Sequence, residues 1–312
     1  MLTHWLYHFP LFRFHTGQVC MSIKLQDNFF DIHEISQRIK VQKPYFAFWQ
    51  LWQDGESLVG NFATEQPLAY ETGLITAGEL GRHLAILGSC SAVALHNAPE
   101  GYYLATKAHF IRQPEASLPA QDIFHASARV LNIDKRTLKV SAKAWCDAPV
   151  AELICEYAIL SPALFQRNFR HYAGDDVPLP PISPYQHLIP LHNLTLREAK
   201  LDAYAGPLSP QQCAGHFSGY PCWPVAIISQ TAFQVTGELL REKYGEAVRF
   251  CVQNTQLSAE KLICADTVLK FSAEITPVPK SVSLMNSTVR VYRGDEEVVT
   301  LSSLLELKLP AQ

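Results

Sequence analysis

The sequence predicts an α+β protein in which one unit is used twice, each copy a long central helix wrapped by a curved antiparallel sheet. Three observations carry this. Residues 174–184 hold four prolines within seven positions, which removes backbone donors, fixes φ and reads as an extended linker. On either side lies one long, mostly apolar helical stretch, and each is followed by four strand-like runs. A helix with so little polar surface has to be covered on most sides, and a curved sheet does this economically. The expected organisation is an N-terminal extension (1–20), a first domain (21–173), a Pro-rich linker (174–186) and a second domain (187–312).

Taken in order, residues 1–20 are rich in aromatics and histidine but lack the basic start and small-residue cleavage site of a secretory signal. They are expected to be an added extension, with the more ordinary Met21-Ser22-Ile23-Lys24 following. In the first half, a strand-like run at 57–64 leads to a helix from about Ala77, opened by the capping box Thr76-x-x-Glu79. Strand-like runs follow at 102–111, 123–131, 137–145 and 150–160, with alternation such as Leu138/Val140/Ala142 marking half-buried strands. In the second half, a run at 194–204 leads to a helix from Val225, with Pro224 suited to its first position and Gly245 to its end. The runs after it are 247–255, 261–275, 281–292 and 298–307.

Composition sets the class. The chain has 312 residues, 48% hydrophobic and 18% charged, with a formal net charge of -3, enough for a substantial core. That balance gives no electrostatic case for nucleic acid or an anionic membrane, and no apolar run is long enough to span a bilayer. Eight cysteines without a C-x-x-C pair point to a reducing, cytoplasmic setting, and no Cys/His spacing matches a zinc knuckle.

The stretch with the most chemical content is His216-Phe217-Ser218-Gly219-Tyr220-Pro221-Cys222-Trp223-Pro224, directly ahead of the apolar helix. It sets an imidazole, which can move a proton near neutral pH, beside a helix N-terminus, which offers unpaired N–H groups to a developing oxyanion. Together they suit chemistry beside a carbonyl.

The pattern His216-Phe217-x-Gly219-x-Pro221-x-x-Pro224, with the repeated strand–helix–sheet unit over roughly residues 40–312, resembles the hot-dog fold, and specifically the 3-hydroxyacyl-thioester (acyl carrier protein) dehydratases of bacterial fatty acid synthesis. Two copies in one chain resemble a double hot-dog, a fused form of that family's dimer. The resemblance implies that His216 is the base acting on the proton α to a thioester carbonyl. In the family a carboxylate on the partner's central helix protonates the departing hydroxyl. It stands fourteen residues after the histidine, where this chain has Gln230. Matching Leu84-Ala85-Ile86-Leu87 to Val225-Ala226-Ile227-Ile228 places Ser89 at the same point of the first helix. Neither residue is a general acid at neutral pH. Val225 replaces the family's usual glycine, while Gln234 matches a glutamine common in it. If the halves pair as that dimer does, His216 meets Ser89 and Gln230 faces the region of His83, and at most one site is competent.

Each candidate also has a plain structural role. His216 is read as catalytic, and Gly219, Trp223, Val225, Gln230, Gln234, Ser89 and His83 as substrate-binding candidates. Trp223 serves equally as a core anchor, Ser89 as a serine bonded back to its own helix, and His83 as a core histidine. Gly81, Ala85, Gly88, Ser89 and Ala92 form a thin helix face, expected to pack closely rather than to house an acyl tail. Cys90 lacks the setting of a nucleophile, and Glu79 is accounted for by capping, leaving Glu71/Glu79 as remote candidates for a carboxylate. The expected function is dehydration (a lyase reaction) of 3-hydroxyacyl thioesters in fatty acid or polyketide-type metabolism. The alternatives are an acyl-CoA or acyl-ACP thioesterase, with the Val225 N–H stabilising the oxyanion, and a non-catalytic acyl-carrier binding protein. No metal or resident cofactor is expected. The acyl group arrives on CoA or phosphopantetheine, and the protein is a monomeric pseudo-dimer or a homodimer of it.

Overall fold

The computed structural model describes residues 28–113, 123–174 and 178–309. The expected extension 1–20 lies outside them. Among the described residues, four helices are α1 (Ile32–Arg38), α2 (Ala77–Leu95), α3 (Pro162–Phe169) and α4 (Val225–Tyr244). The strands of the first half are β1 (Gln50–Asp54), β2 (Ser57–Ala63), β3 (Tyr102–Arg112), β4 (Ile123–Ile133), β5 (Thr137–Trp145) and β6 (Pro149–Leu160). Those of the second are β7 (Leu191–Arg197), β8 (Lys200–Ala205), β9 (Arg249–Ala259), β10 (Leu269–Pro277), β11 (Leu284–Arg293) and β12 (Glu296–Lys308).

The strands form one antiparallel sheet in the order β1-β2-β4-β5-β6-β3-β9-β12-β11-β10-β8-β7. The order reads the same from both ends, with β3 matched to β9, β6 to β12 and so on outward. The halves join where Lys107–Ile111 of β3 pairs with Asn254–Ser258 of β9. Alternation does what it should: Leu138, Val140, Ala142 and Ala144 of β5 are buried and the residues between them are not. α2 and α4 pack on each other and on the sheet, and both halves contribute to one continuous core.

Three sequence expectations are corrected here. The four runs after each helix are not a simple meander, because β3 returns to the far side of β6 and β9 to that of β12. The run 194–204 is a hairpin turning at Glu198, which takes φ +55, and the run 261–275 becomes strand only at Leu269. The third concerns the helix alignment. Thr76 caps α2 by accepting from the Glu79 N–H at 3.2 Å, so Ala77 is its first residue, and Val225 is the first of α4. Counting from these starts, Arg82 matches Gln230 and Ser89 matches Gly237. Matching the apolar quartets shifts α2 by seven residues, since runs of Leu, Ile and Ala carry no register of their own.

Candidate active site

A cavity of about 200 Å³ lies between α2, α4 and the sheet where the halves meet. Its α2 wall is Gly78, Gly81, Ala85 and Ser89, and its α4 wall is Val225, Ala226, Ser229 and Phe233. Leu104, Phe110, Leu153 and Leu257 of β3, β6 and β9 make an apolar floor, while the exposed Glu260 and Lys261 mark the surface end. His216, Phe217, Tyr45 and Arg82 also line it. The small face of α2 is therefore divided. Gly81 has open space where a side chain would begin, but Gly88 packs beneath Tyr157 and Val140. The expectation of close packing holds for Gly88 and not for Gly81.

The His216 loop is pinned by the other half of the chain. The Gln42 N–H donates to the Gly215 carbonyl at 2.7 Å, the Phe217 N–H donates to the Lys40 carbonyl at 3.2 Å, and Val41 bridges to His216. Gly215 (φ +81) is required, since a Cβ there would run into the Gln42 carbonyl. Phe217 takes φ +56 and inserts its ring beside Tyr102 and Phe165 of the first half. Gly219 supplies the next turn at φ +76 and does not line the cavity. Trp223 both lines the cavity and anchors the core, its Nε1 donating to the Thr267 carbonyl at 3.0 Å.

The His216 ring stacks on Phe217, with centroids 4.1 Å apart, and meets the Tyr45 ring edge-on at 4.9 Å. Cys222 Sγ lies 3.3 Å from Nδ1. Among the described residues no carboxylate is hydrogen-bonded to the imidazole. The residue keeps some surface, yet the ring sits among these groups, and desolvation lowers its pKa to about 3. Burial pushes the Cys222 thiol up, so the pair is neutral and not a thiolate–imidazolium dyad. In the tautomer whose Nδ1–H points at Sγ, Nε2 is the basic nitrogen.

α4 opens with Pro224 and has no side-chain cap. Val225 and Ala226, whose N–H groups have no intrahelical acceptor, line the cavity. The N-terminus of α2 differs, because Glu71 occupies it and its carboxylate accepts from the Ala77 N–H at 2.9 Å. Burial, opposed by Arg112 and that N–H, raises Glu71 to about 7.

The place related to the cavity by the internal repeat is closed. Tyr70 lies across Gly237, where a Cβ would collide with the ring, and its hydroxyl donates to Glu238. Only about 10 Å³ remains there, bordered by Glu71, Thr76, Gln230, Phe233 and Gln234. Gln230 and Gln234 therefore do not meet His216, and Gln230 instead packs against Gly78. His83 is also away from the cavity. It is fully buried, stacked on Phe62 at 4.2 Å, with Glu79 Oε1 3.6 Å from Nε2. Ser89 lines the cavity, while its hydroxyl donates to the Ile86 carbonyl at 2.8 Å. The sequence reading missed Tyr45, Arg82 and Tyr185. Tyr45 lies in a turn and Tyr185 in a short 3₁₀ helix (Pro184–Gln186), neither with a motif, but an arginine inside an otherwise apolar helix is a visible signal.

No protein-family model and no curated protein matches the chain. Solved structures do. The tesB protein of Mycobacterium avium subsp. paratuberculosis superposes with a TM-score of 0.53 at 11% identity, over 83% of this chain and 96% of that one. A conserved protein of unknown function with a hot-dog fold from Alicyclobacillus acidocaldarius gives 0.52 at 13%, over 84% and 96%. A 12:0-ACP thioesterase from Umbellularia californica gives 0.52 at 9%, over 81% and 95%. Helix-on-sheet geometry and these superpositions together establish that this chain has the hot-dog fold.

Proposed function

We propose that the protein is a double hot-dog acyl-thioester hydrolase, with halves 21–173 and 187–312, acting in a reducing cytoplasm on acyl groups carried by CoA or an acyl carrier protein. The observation that carries the reading is the pairing of an open α4 N-terminus with a neutral His216 at one end of an apolar cavity. The thioester carbonyl lies against the Val225 and Ala226 N–H groups, which meet the negative charge that grows as water attacks. His216 Nε2 takes the proton from that water and returns it to the departing thiolate, so the balance closes on free acid and free thiol. Dehydration needs, in addition, a group that protonates a leaving hydroxyl. The neighbours of His216 are Cys222, Tyr45 and Phe217, and none is an acid near neutral pH. The likeness in fold to a 12:0-ACP thioesterase favours the same choice.

The test follows free thiol and enoyl formation separately on saturated and 3-hydroxyacyl-CoA. Thiol release without enoyl product is expected, falling about 100-fold or more in His216→Ala. Enoyl formation would restore the dehydratase reading, and unchanged turnover in the variant would displace His216 from its role.

A further inference from the structure

Cys222 of the His216 loop faces Cys264 across an isolated antiparallel β-bridge. The Trp223 N–H donates to the Ile263 carbonyl at 2.9 Å and the Ala265 N–H to the Pro221 carbonyl at 3.1 Å, one on each side of the two cysteines. They are therefore a non-hydrogen-bonded pair, the position at which facing Cα atoms come within about 4.5 Å and the side chains leave on the same face. A disulfide spans a Cα separation of about 4.4–6.8 Å, so the backbone already has the spacing of a cross-link. Cys264 Sγ leans toward the opposite backbone, 3.8 Å from the Pro221 carbonyl oxygen.

The two thiols differ in access. Cys222 is fully buried, and its Sγ lies 3.3 Å from His216 Nδ1. Cys264 is half-buried, within reach of a small oxidant. Among the described residues, the other thiol beside them is Cys213, which is 2% exposed and belongs to a short 3₁₀ helix (Pro210–Cys213) outside the bridge. We propose that Cys222 and Cys264 are a reversible oxidation site, which closes to a disulfide on exposure to a peroxide and takes the Cys222 sulfur from His216. The Cys264 sulfur attacks one peroxide oxygen, the O–O bond breaks, and water leaves behind a sulfenic acid. The Cys222 sulfur then displaces that hydroxyl as a second water and closes the S–S bond. Two electrons and two protons pass from the thiols to the peroxide. A sulfur bonded to Cys264 at about 2.05 Å has lost its proton and its freedom to follow the imidazole. None of this rests on the hydrolysis reading.

Burial holds both thiols protonated near neutral pH, so the native full chain is exposed to hydrogen peroxide at about pH 8.5, then alkylated, digested and read by mass spectrometry. A linked Cys222–Cys264 peptide is expected, lost on treatment with dithiothreitol and absent from Cys264→Ser. Cys264→Ala serves where the serine variant fails to fold, and Cys213→Ala should still form the link. The imidazole signals of His216 in a nuclear magnetic resonance spectrum, identified with His216→Gln, should shift on oxidation and return on reduction. That readout uses no substrate, so it stands apart from whether the cavity cuts thioesters. Another partner for Cys222, or Cys264 oxidised to a sulfinic acid without a link, overturns the disulfide. A link that leaves the His216 signals in place overturns its reach into the cavity.

Discussion

At the level of single residues, His216 is unusual less for being a histidine than for being uncharged. Packed against Phe217, Tyr45 and Cys222, it protonates only near pH 3. A free imidazole would impose an acid limb near pH 6.5 on turnover. Here kcat/KM measured between pH 5 and 8 should show no such limb. Cys222 bears on the same point. If its sulfur only orients the ring, Cys222→Ala should slow turnover by about tenfold while activity persists. Complete loss would mark the thiol as a nucleophile. The His216 motif was legible because five fixed positions in a Gly/Pro turn announce a backbone conformation as well as a side chain. Tyr45 and Tyr185 were not legible, because they reach the site from segments distant in sequence, and only the tertiary fold brings them there.

At the level of elements, the two central helices look alike in composition and differ in what lies on them. α4 faces the cavity with an uncapped N-terminus, whereas α2 is capped by Glu71 and Thr76. Tyr70 fills the space over Gly237. Gly237→Ala should therefore lower stability by about 1–3 kcal/mol through overpacking, despite the better helix propensity of alanine. Adding Tyr70→Ala should cancel most of that loss in a double-mutant cycle read by urea unfolding. Additive losses would mean that the ring does not set the constraint. Strand positions were legible from period-two alternation, as in β5. The helix register was not, since the starts of α2 and α4 are set by caps, while the apolar runs inside them are interchangeable.

For the whole molecule, buried titratable groups bound the pH range of the fold. His83 is held neutral in the folded state, with a pKa near 4 from burial and the adjacent Arg82. Its folded pKa lies below the unfolded value of about 6.5, so stability is lost as pH falls from there toward 4, by about 1.4 kcal/mol per unit. Glu71 acts in the opposite direction. Its pKa is raised to about 7, so the stability that its protonated form confers is lost as pH rises from about 4.5 to 7. Between about pH 4.5 and 6.5 the two slopes oppose and largely cancel in denaturant unfolding. Glu71→Gln, whose amide still accepts from the Ala77 N–H, should uncover the rise of stability with pH due to His83, and His83→Gln the fall due to Glu71. A profile unchanged in either variant would assign the slopes to other groups.

The palindromic strand order carries a consequence for counting. A symmetric pair of such units would present two equivalent chambers, one before each central helix. Here Tyr70 and Glu71 occupy one of them with the chain's own side chains. Among the described residues, each chain thus keeps one of the two chambers open. The closed chamber acts as a permanent internal ligand, spending its contacts on holding the two halves in the arrangement that keeps the other chamber open.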